Sequence, residues 1–126
     1  MAGKILIVED NSRLAEVLAD YLNQAGYQAT WAENSAQAIS KAITERPDLI
    51  VTDLDLPDMT AIQMITILKK IPITSGIPIV VLTAETARRW KTIALKAGAV
   101  EYILKPISPH DLLQLVRRFC HRVPHK

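Results

Sequence analysis

Ile5-Leu6-Ile7-Val8-Glu9-Asp10 is the stretch whose reading decides the fold: four apolar residues in succession, then two acids. A strand with one wet face alternates apolar and polar side chains, whereas an unbroken aliphatic run belongs to a strand covered on both faces. The pattern recurs along the chain. Leu49-Ile50-Val51-Thr52 leads into Asp53, Ile79-Val80-Val81-Leu82 into Thr83, and Tyr102-Ile103-Leu104 into Lys105. Residues near 4–9, 48–53 and 78–83 therefore read as central strands of a parallel sheet. Tyr27 to Ala32 interleaves Tyr27, Ala29 and Trp31 with Gln28 and Thr30, the mixed pattern of a half-covered edge. The short, mixed segment from Val100 to Leu104 is placed at the other edge.

Helical periodicity fills the gaps. From Ser12 to Ala25 the residues Leu14, Val17, Leu18, Tyr21, Leu22 and Ala25 recur along one side, and Gly26 supplies the stop. Weaker helices are read from about Ala36 to Thr44, Ala61 to Lys70 and Thr86 to Ala97. In the last of these Trp90 is in phase with Ala87, Ile93, Ala94 and Ala97, so that whole stripe is expected to face the core, as is Trp31. The final helix has the clearest start: Ser108 as cap, Pro109 at the first helical position and Asp111 three residues after the cap. Its apolar set is Leu112, Leu113, Leu115, Val116, Phe119 and Cys120. Strands alternating with helices from end to end imply βαβ units, hence an α/β fold with a doubly wound parallel sheet.

Composition narrows the function classes. A chain of 126 residues, 49% hydrophobic, can bury one compact core, and a net charge of +2 is too small to argue for the dense basic face that nucleic acid requires. The single cysteine, Cys120, excludes an internal disulfide framework and fits a reducing compartment. No apolar run approaches the roughly 18 residues of a membrane span, and the N-terminus lacks a signal-peptide pattern, so the expected location is the cytoplasm. His110, His121 and His125 lie in the final segment without companions at zinc-ligand spacing. Arg117, Arg118, Arg122 and Lys126 read as a solvated, cationic helix end. The expected organisation is one domain over residues 1–126, with a core of about 4–121 and a basic tail at 122–126.

The polar residues that end the strands carry the chemistry. Open α/β sheets bind ligands at the carboxyl ends of their strands, at the crevice where strand order reverses. Taken singly, Glu9, Asp10 or Asp53 would be a solvated acid or a helix cap, Thr83 a cap and Lys105 a surface lysine. Taken together they form a constellation. Three gathered carboxylates repel one another unless a cation compensates them, and an oxygen-only donor set favours Mg²⁺ over Zn²⁺. Such a cation and the Lys105 ammonium would neutralise phosphoryl oxygens, the Thr83 hydroxyl would donate a hydrogen bond, and an aspartate would attack phosphorus. Asp53 is favoured as that nucleophile because it stands on a different strand from the Glu9–Asp10 pair, which is better suited to hold the metal. A flavodoxin-like cofactor protein shares the topology, but Glu9 and Asp10 would repel an FMN phosphate.

These elements, namely Glu9 and Asp10, then Asp53 followed by Leu54, Asp55, Leu56, Pro57, Asp58 and Met59, then Thr83-Ala84, then Lys105-Pro106 after Tyr102, resemble the receiver domain of two-component response regulators. The resemblance spans about residues 4 to 121. It implies a flavodoxin-like (βα)5 fold with strand order 2-1-3-4-5. It also implies that Asp53 takes a phosphoryl group from a sensor histidine kinase or a histidine phosphotransfer protein. By the same resemblance Asp10 would bind Mg²⁺ with help from Glu9, and Asp55 would lend its backbone carbonyl. Lys105 would pair with the phosphoryl group and Thr83 would move toward it. Tyr102 would be the aromatic switch that turns inward as Thr83 shifts, remodelling the fourth helix, fifth strand and fifth helix for an unknown output protein or for phosphorylation-dependent homodimerisation. The Lys105–Pro106 bond would be cis. Such a protein is a signalling module that assists its own phosphorylation more than an enzyme; a non-phosphorylated pseudo-receiver serving as a scaffold is the alternative. Ala61 stands where the family commonly has Gly, and Asp55 and Glu85 occupy variable positions flanking the phosphorylation site.

Overall fold

A computed structural model of the chain describes residues 3–120; the basic tail expected at 122–126 and the residues His121, Arg122, His125 and Lys126 lie outside them. Ten elements alternate: β1 (Lys4–Val8), α1 (Ser12–Gln24), β2 (Gln28–Ala32), α2 (Ser35–Glu45), β3 (Leu49–Thr52), α3 (Ala61–Lys70), β4 (Ile79–Thr83), α4 (Arg88–Ala97), β5 (Glu101–Leu104) and α5 (Pro109–Phe119). All pairings are parallel and the spatial order is β2-β1-β3-β4-β5, so the two edge strands are the two with mixed sequence.

Because successive strand side chains point to opposite faces, each aliphatic run feeds two cores. Ile5 and Ile7 join Leu49, Val51, Val80 and Leu82 under α1 and α5. Leu6, Val8, Ile50, Ile79 and Val81 pack on the other face against Met64, Ile65 and Leu68 of α3, with Ala38 and Ala42 of α2 and Ala94 of α4. The alanines let those helices lie close to the sheet. Within α1 the residues that reach full burial are Ala15, Ala19 and Leu22, whereas Val17 is 59% exposed. The wide stripe read from sequence is thus rotated: Val17 sits on its outer margin, where a β-branched residue contributes nothing to the core. The same correction holds for Ile93, which is exposed at 38% while Ala94 beside it is buried. Trp90 and Trp31 are half-buried lids on the two cores rather than members of them.

Most helix ends follow the capping residues. Asn11, Asn34, Thr60 and Ser108 each accept a hydrogen bond from the backbone N–H of the third residue beyond. Thr60 and Gln63 complete a reciprocal capping box, so Ala61 enters α3 as a buried first residue, with its N–H donating to the Leu54 carbonyl at 2.9 Å. The exception is α4. Its cap position is Ala87, which has no side-chain acceptor, and the helix starts at Arg88 rather than Thr86. Gly26 and Gly98 close α1 and α4 at φ of 98° and 126°.

Candidate functional site

The register of the sheet brings the ends of β1, β3 and β5 to one edge. Ligand oxygens of Glu9, Asp10 and Asp53 lie within 4.8 Å of one another. Lys105 reaches across from β5: its Nζ donates to Glu9 Oε1 at 2.5 Å and to Asp53 Oδ2 at 3.1 Å. Glu9 is buried, Asp53 half-buried and Asp10 exposed, so the cluster grades from a dry floor to an open mouth. The second oxygens of Glu9 and Asp53 are also engaged. Glu9 Oε2 accepts from the Asn11 N–H at 3.2 Å, and Asp53 Oδ1 accepts from the Leu54 N–H at 2.7 Å. Burial alone would draw the Lys105 ammonium below its ordinary pKa, but the hydrogen bond to Glu9 and the charges of Asp53 and Glu9 outweigh it and hold the group above that value.

Glu9, Asp10 and Asp53 present oxygen donors only, and Lys105 offsets part of their charge. The set suits a hard divalent cation that keeps several waters, and no cluster with His or Cys donors forms among the described residues. Asp55, exposed two residues beyond Asp53, lies on the β3–α3 loop.

A second wall is built from the β4–α4 loop. Thr83, fully buried at the end of β4, accepts at Oγ1 from the Glu85 N–H at 3.3 Å. The Tyr102 hydroxyl donates to the Glu85 carbonyl at 2.8 Å, and Glu85 Oε1 accepts from the Ala87 N–H at 3.0 Å. Glu85 therefore ties Thr83, Tyr102 and the approach to α4 into one loop, a role its sequence position did not reveal. Its carboxylate is engaged with its own loop. Tyr102 is 7% exposed, and in the same structure the Thr83 hydroxyl oxygen accepts from the Glu85 amide. Burial first, then the charges of Glu85, Asp55 and Asp53, raise the Tyr102 phenol above its ordinary value. The Lys105–Pro106 bond is cis.

Asp58 is the residue that sequence reasoning passed over. It accepts from the N–H groups of Ser35 and Ala36, both at 2.9 Å, at the start of α2. The available signal was an acid facing the exposed donors of a helix start, but that pairing joins residues more than twenty positions apart.

The sequence matches the family described as response regulator receiver domain over residues 5–117. It is 39% identical over 123 residues to the phosphate regulon transcriptional regulatory protein PhoB of Pseudomonas aeruginosa, covering 97% of this chain and 54% of that protein. It is 38% identical over 117 residues to the DNA-binding response regulator MtrA of Mycolicibacterium paratuberculosis, covering 93% of this chain and 51% of that protein. The chain thus spans about half the length of the curated relatives it matches. Among solved structures, chemotaxis response regulator CheY4 of Vibrio cholerae superposes with a TM-score of 0.88 at 28% identity, covering 94% of this chain and 99% of that one.

Proposed function

This chain belongs to the response regulator receiver domain family, and from that premise we propose that it is a switch that takes a phosphoryl group onto Asp53. The observation that carries the reading is the convergence of Glu9, Asp10, Asp53 and Lys105 at one sheet edge. The donor is a phosphohistidine of a sensor histidine kinase or of a histidine phosphotransfer protein. An Asp53 carboxylate oxygen attacks phosphorus, an O–P bond forms, the P–N bond breaks, and the imidazole leaves with the electron pair and takes up a proton. Carboxylates of Glu9, Asp10 and Asp53, with the backbone carbonyl of Asp55, would hold Mg²⁺, which when bound neutralises charge on the phosphoryl oxygens. The Leu54 amide keeps the Asp53 carboxylate oriented, and Lys105 stays close enough to follow the transferred charge. Thr83 exchanges its Glu85 amide for the phosphoryl group, and the movement passes through Glu85 and Tyr102 to α4, β5 and α5, where an output protein or a second copy binds.

Two relatives are named as transcriptional or DNA-binding regulators; the even charge of this chain gives no reason to assign nucleic-acid contact to the domain itself. The deciding experiment is rapid intact-mass analysis after incubation with acetyl phosphate, with and without Mg²⁺, on wild type and Asp53→Asn. A single Mg²⁺-dependent adduct absent from the variant is expected. Absence of an adduct, together with failure of beryllofluoride and Mg²⁺ to bind, would transfer the assignment to a phosphorylation-independent scaffold.

A further inference from the structure

We propose that Asp58 is a positioning residue for the cation site: by latching the β3–α3 loop onto α2, it holds the Asp55 carbonyl where the metal needs it. The inference rests on the receiver reading above.

The latch is built from both sides. Asp58 Oδ1 accepts from the Ser35 N–H and from the Met59 N–H at 3.0 Å, and Oδ2 accepts from the Ala36 N–H. In return the Ser35 hydroxyl, fully buried, donates to the Met59 carbonyl at 3.2 Å. At the near end of the loop the Asp53 carboxylate holds the Leu54 amide, and the Leu54 carbonyl holds the Ala61 amide. Asp55, Leu56 and Pro57 therefore lie between two anchored ends, with Leu56 half-buried against the core and Asp55 and Pro57 exposed.

Capping α2 is not a sufficient reason for the arrangement. The helix already has its own cap in Asn34, whose Oδ1 accepts from the Gln37 N–H at 2.8 Å, and α1 starts with a comparable Asn11 cap whose one carboxylate neighbour, Glu9 on the Asn11 N–H, comes from two residues upstream and not from another loop. What the Asp58 carboxylate adds to the Asn34 cap is a tie between α2 and the loop. The Ser35 N–H bond, ahead of the other backbone bonds, holds the Asp58 carboxyl below its ordinary pKa, as expected for an anion seated on helix-start donors. A loop that must present a carbonyl to a cation gains from such an anchor, because partners outside the ligand set typically change metal affinity by about 10- to 100-fold when removed.

The test is Mg²⁺ affinity, read from the Mg²⁺ dependence of the acetyl phosphate reaction and by calorimetry. For Asp58→Ala, Mg²⁺ binding should weaken by about tenfold, with the same single Asp53 adduct restored at saturating Mg²⁺. Asn34→Ala, which removes the helix's own cap, should lower Tm and leave Mg²⁺ affinity in place. Ser35→Ala keeps the backbone donors and loses only the Met59 bond; it should weaken Mg²⁺ by a smaller factor, and it decides the matter if Asp58→Ala does not fold. Unchanged Mg²⁺ affinity in both Asp58→Ala and Ser35→Ala would overturn the proposal and leave Asp58 as a helix cap. A wild type that neither binds Mg²⁺ nor takes the phosphoryl group would instead sink the receiver reading, and this proposal with it.

Discussion

The two loops that flank Asp53 are built to opposite specifications. The β3–α3 loop is fastened to α2 by Asp58 and Ser35 and runs into a helix with a complete capping box and four buried residues, Ala61, Met64, Ile65 and Leu68. The β4–α4 loop leads into a helix with no side-chain cap and one buried residue, Ala94, and is held through contacts of Glu85. Segments with few buried apolar contacts and poorly satisfied ends open locally at low free energy. The first loop is the more firmly tied of the two, and on the proposed receiver reading it is the second that moves.

The comparison can be broken most directly in the core. Met64→Ala, on the anchored side, should destabilise the protein by about 2–5 kcal/mol in denaturant unfolding, because a fully buried side chain leaves a cavity. Tyr102→Phe removes the hydroxyl bond to the Glu85 carbonyl and should cost about 1 kcal/mol, with faster amide exchange confined to residues 84–88; faster exchange in the β3–α3 loop as well would mean the two walls are not independent. Glu85→Ala should speed exchange at Ala87 and change the phosphoryl lifetime, and Asp55→Asn should alter that lifetime while leaving exchange near α4 alone; unaltered lifetimes in both would show that neither carboxylate governs access to phosphorus. Ile93→Ala, on the exposed side of α4, should stay within about 0.5 kcal/mol of wild type.

Lys105 sharpens the contrast from the floor of the site. Its pKa is raised in the folded chain, so its ion pairs contribute fully below the ordinary lysine value of about 10.4 and their contribution is lost as pH rises through the higher folded value. Thermal unfolding of wild type should therefore decline more steeply above about pH 10.4 than that of Lys105→Met. The same variant removes a cation from Glu9 and Asp53, and its Mg²⁺ affinity should be at least that of wild type while phosphoryl acceptance falls.

Much of the fold was legible because its signals are local. An aliphatic run ending in a polar residue reads as a buried strand wherever it lies, and Ser108-Pro109 reads as a helix start without knowledge of any neighbour. The rotation of α1 was not legible, since Ala15 and Ala19 are weak members of an apolar stripe until a sheet at close range makes their small size an advantage. Nor was the late start of α4, because Thr86 offers helix-start chemistry and only the engagement of Glu85 with the Ala87 amide shows where the loop ends.

From the sequence by itself came the alternating βα order, the central and edge strands, and the five polar residues that end four of those strands. Hydrophobic periodicity and capping act over a few residues, so the chain displays them directly. Only the tertiary structure separated the acids that follow Thr52: Asp53 in the carboxylate cluster, Asp55 exposed, and Asp58 bound to the start of α2. In sequence they are alike. Their difference arises from register and loop path, which join Lys105 to Glu9 across 96 positions and Asp58 to Ser35 across 23. A carboxylate becomes a ligand, a solvated charge or a latch according to which donors the fold brings within about 3 Å of it.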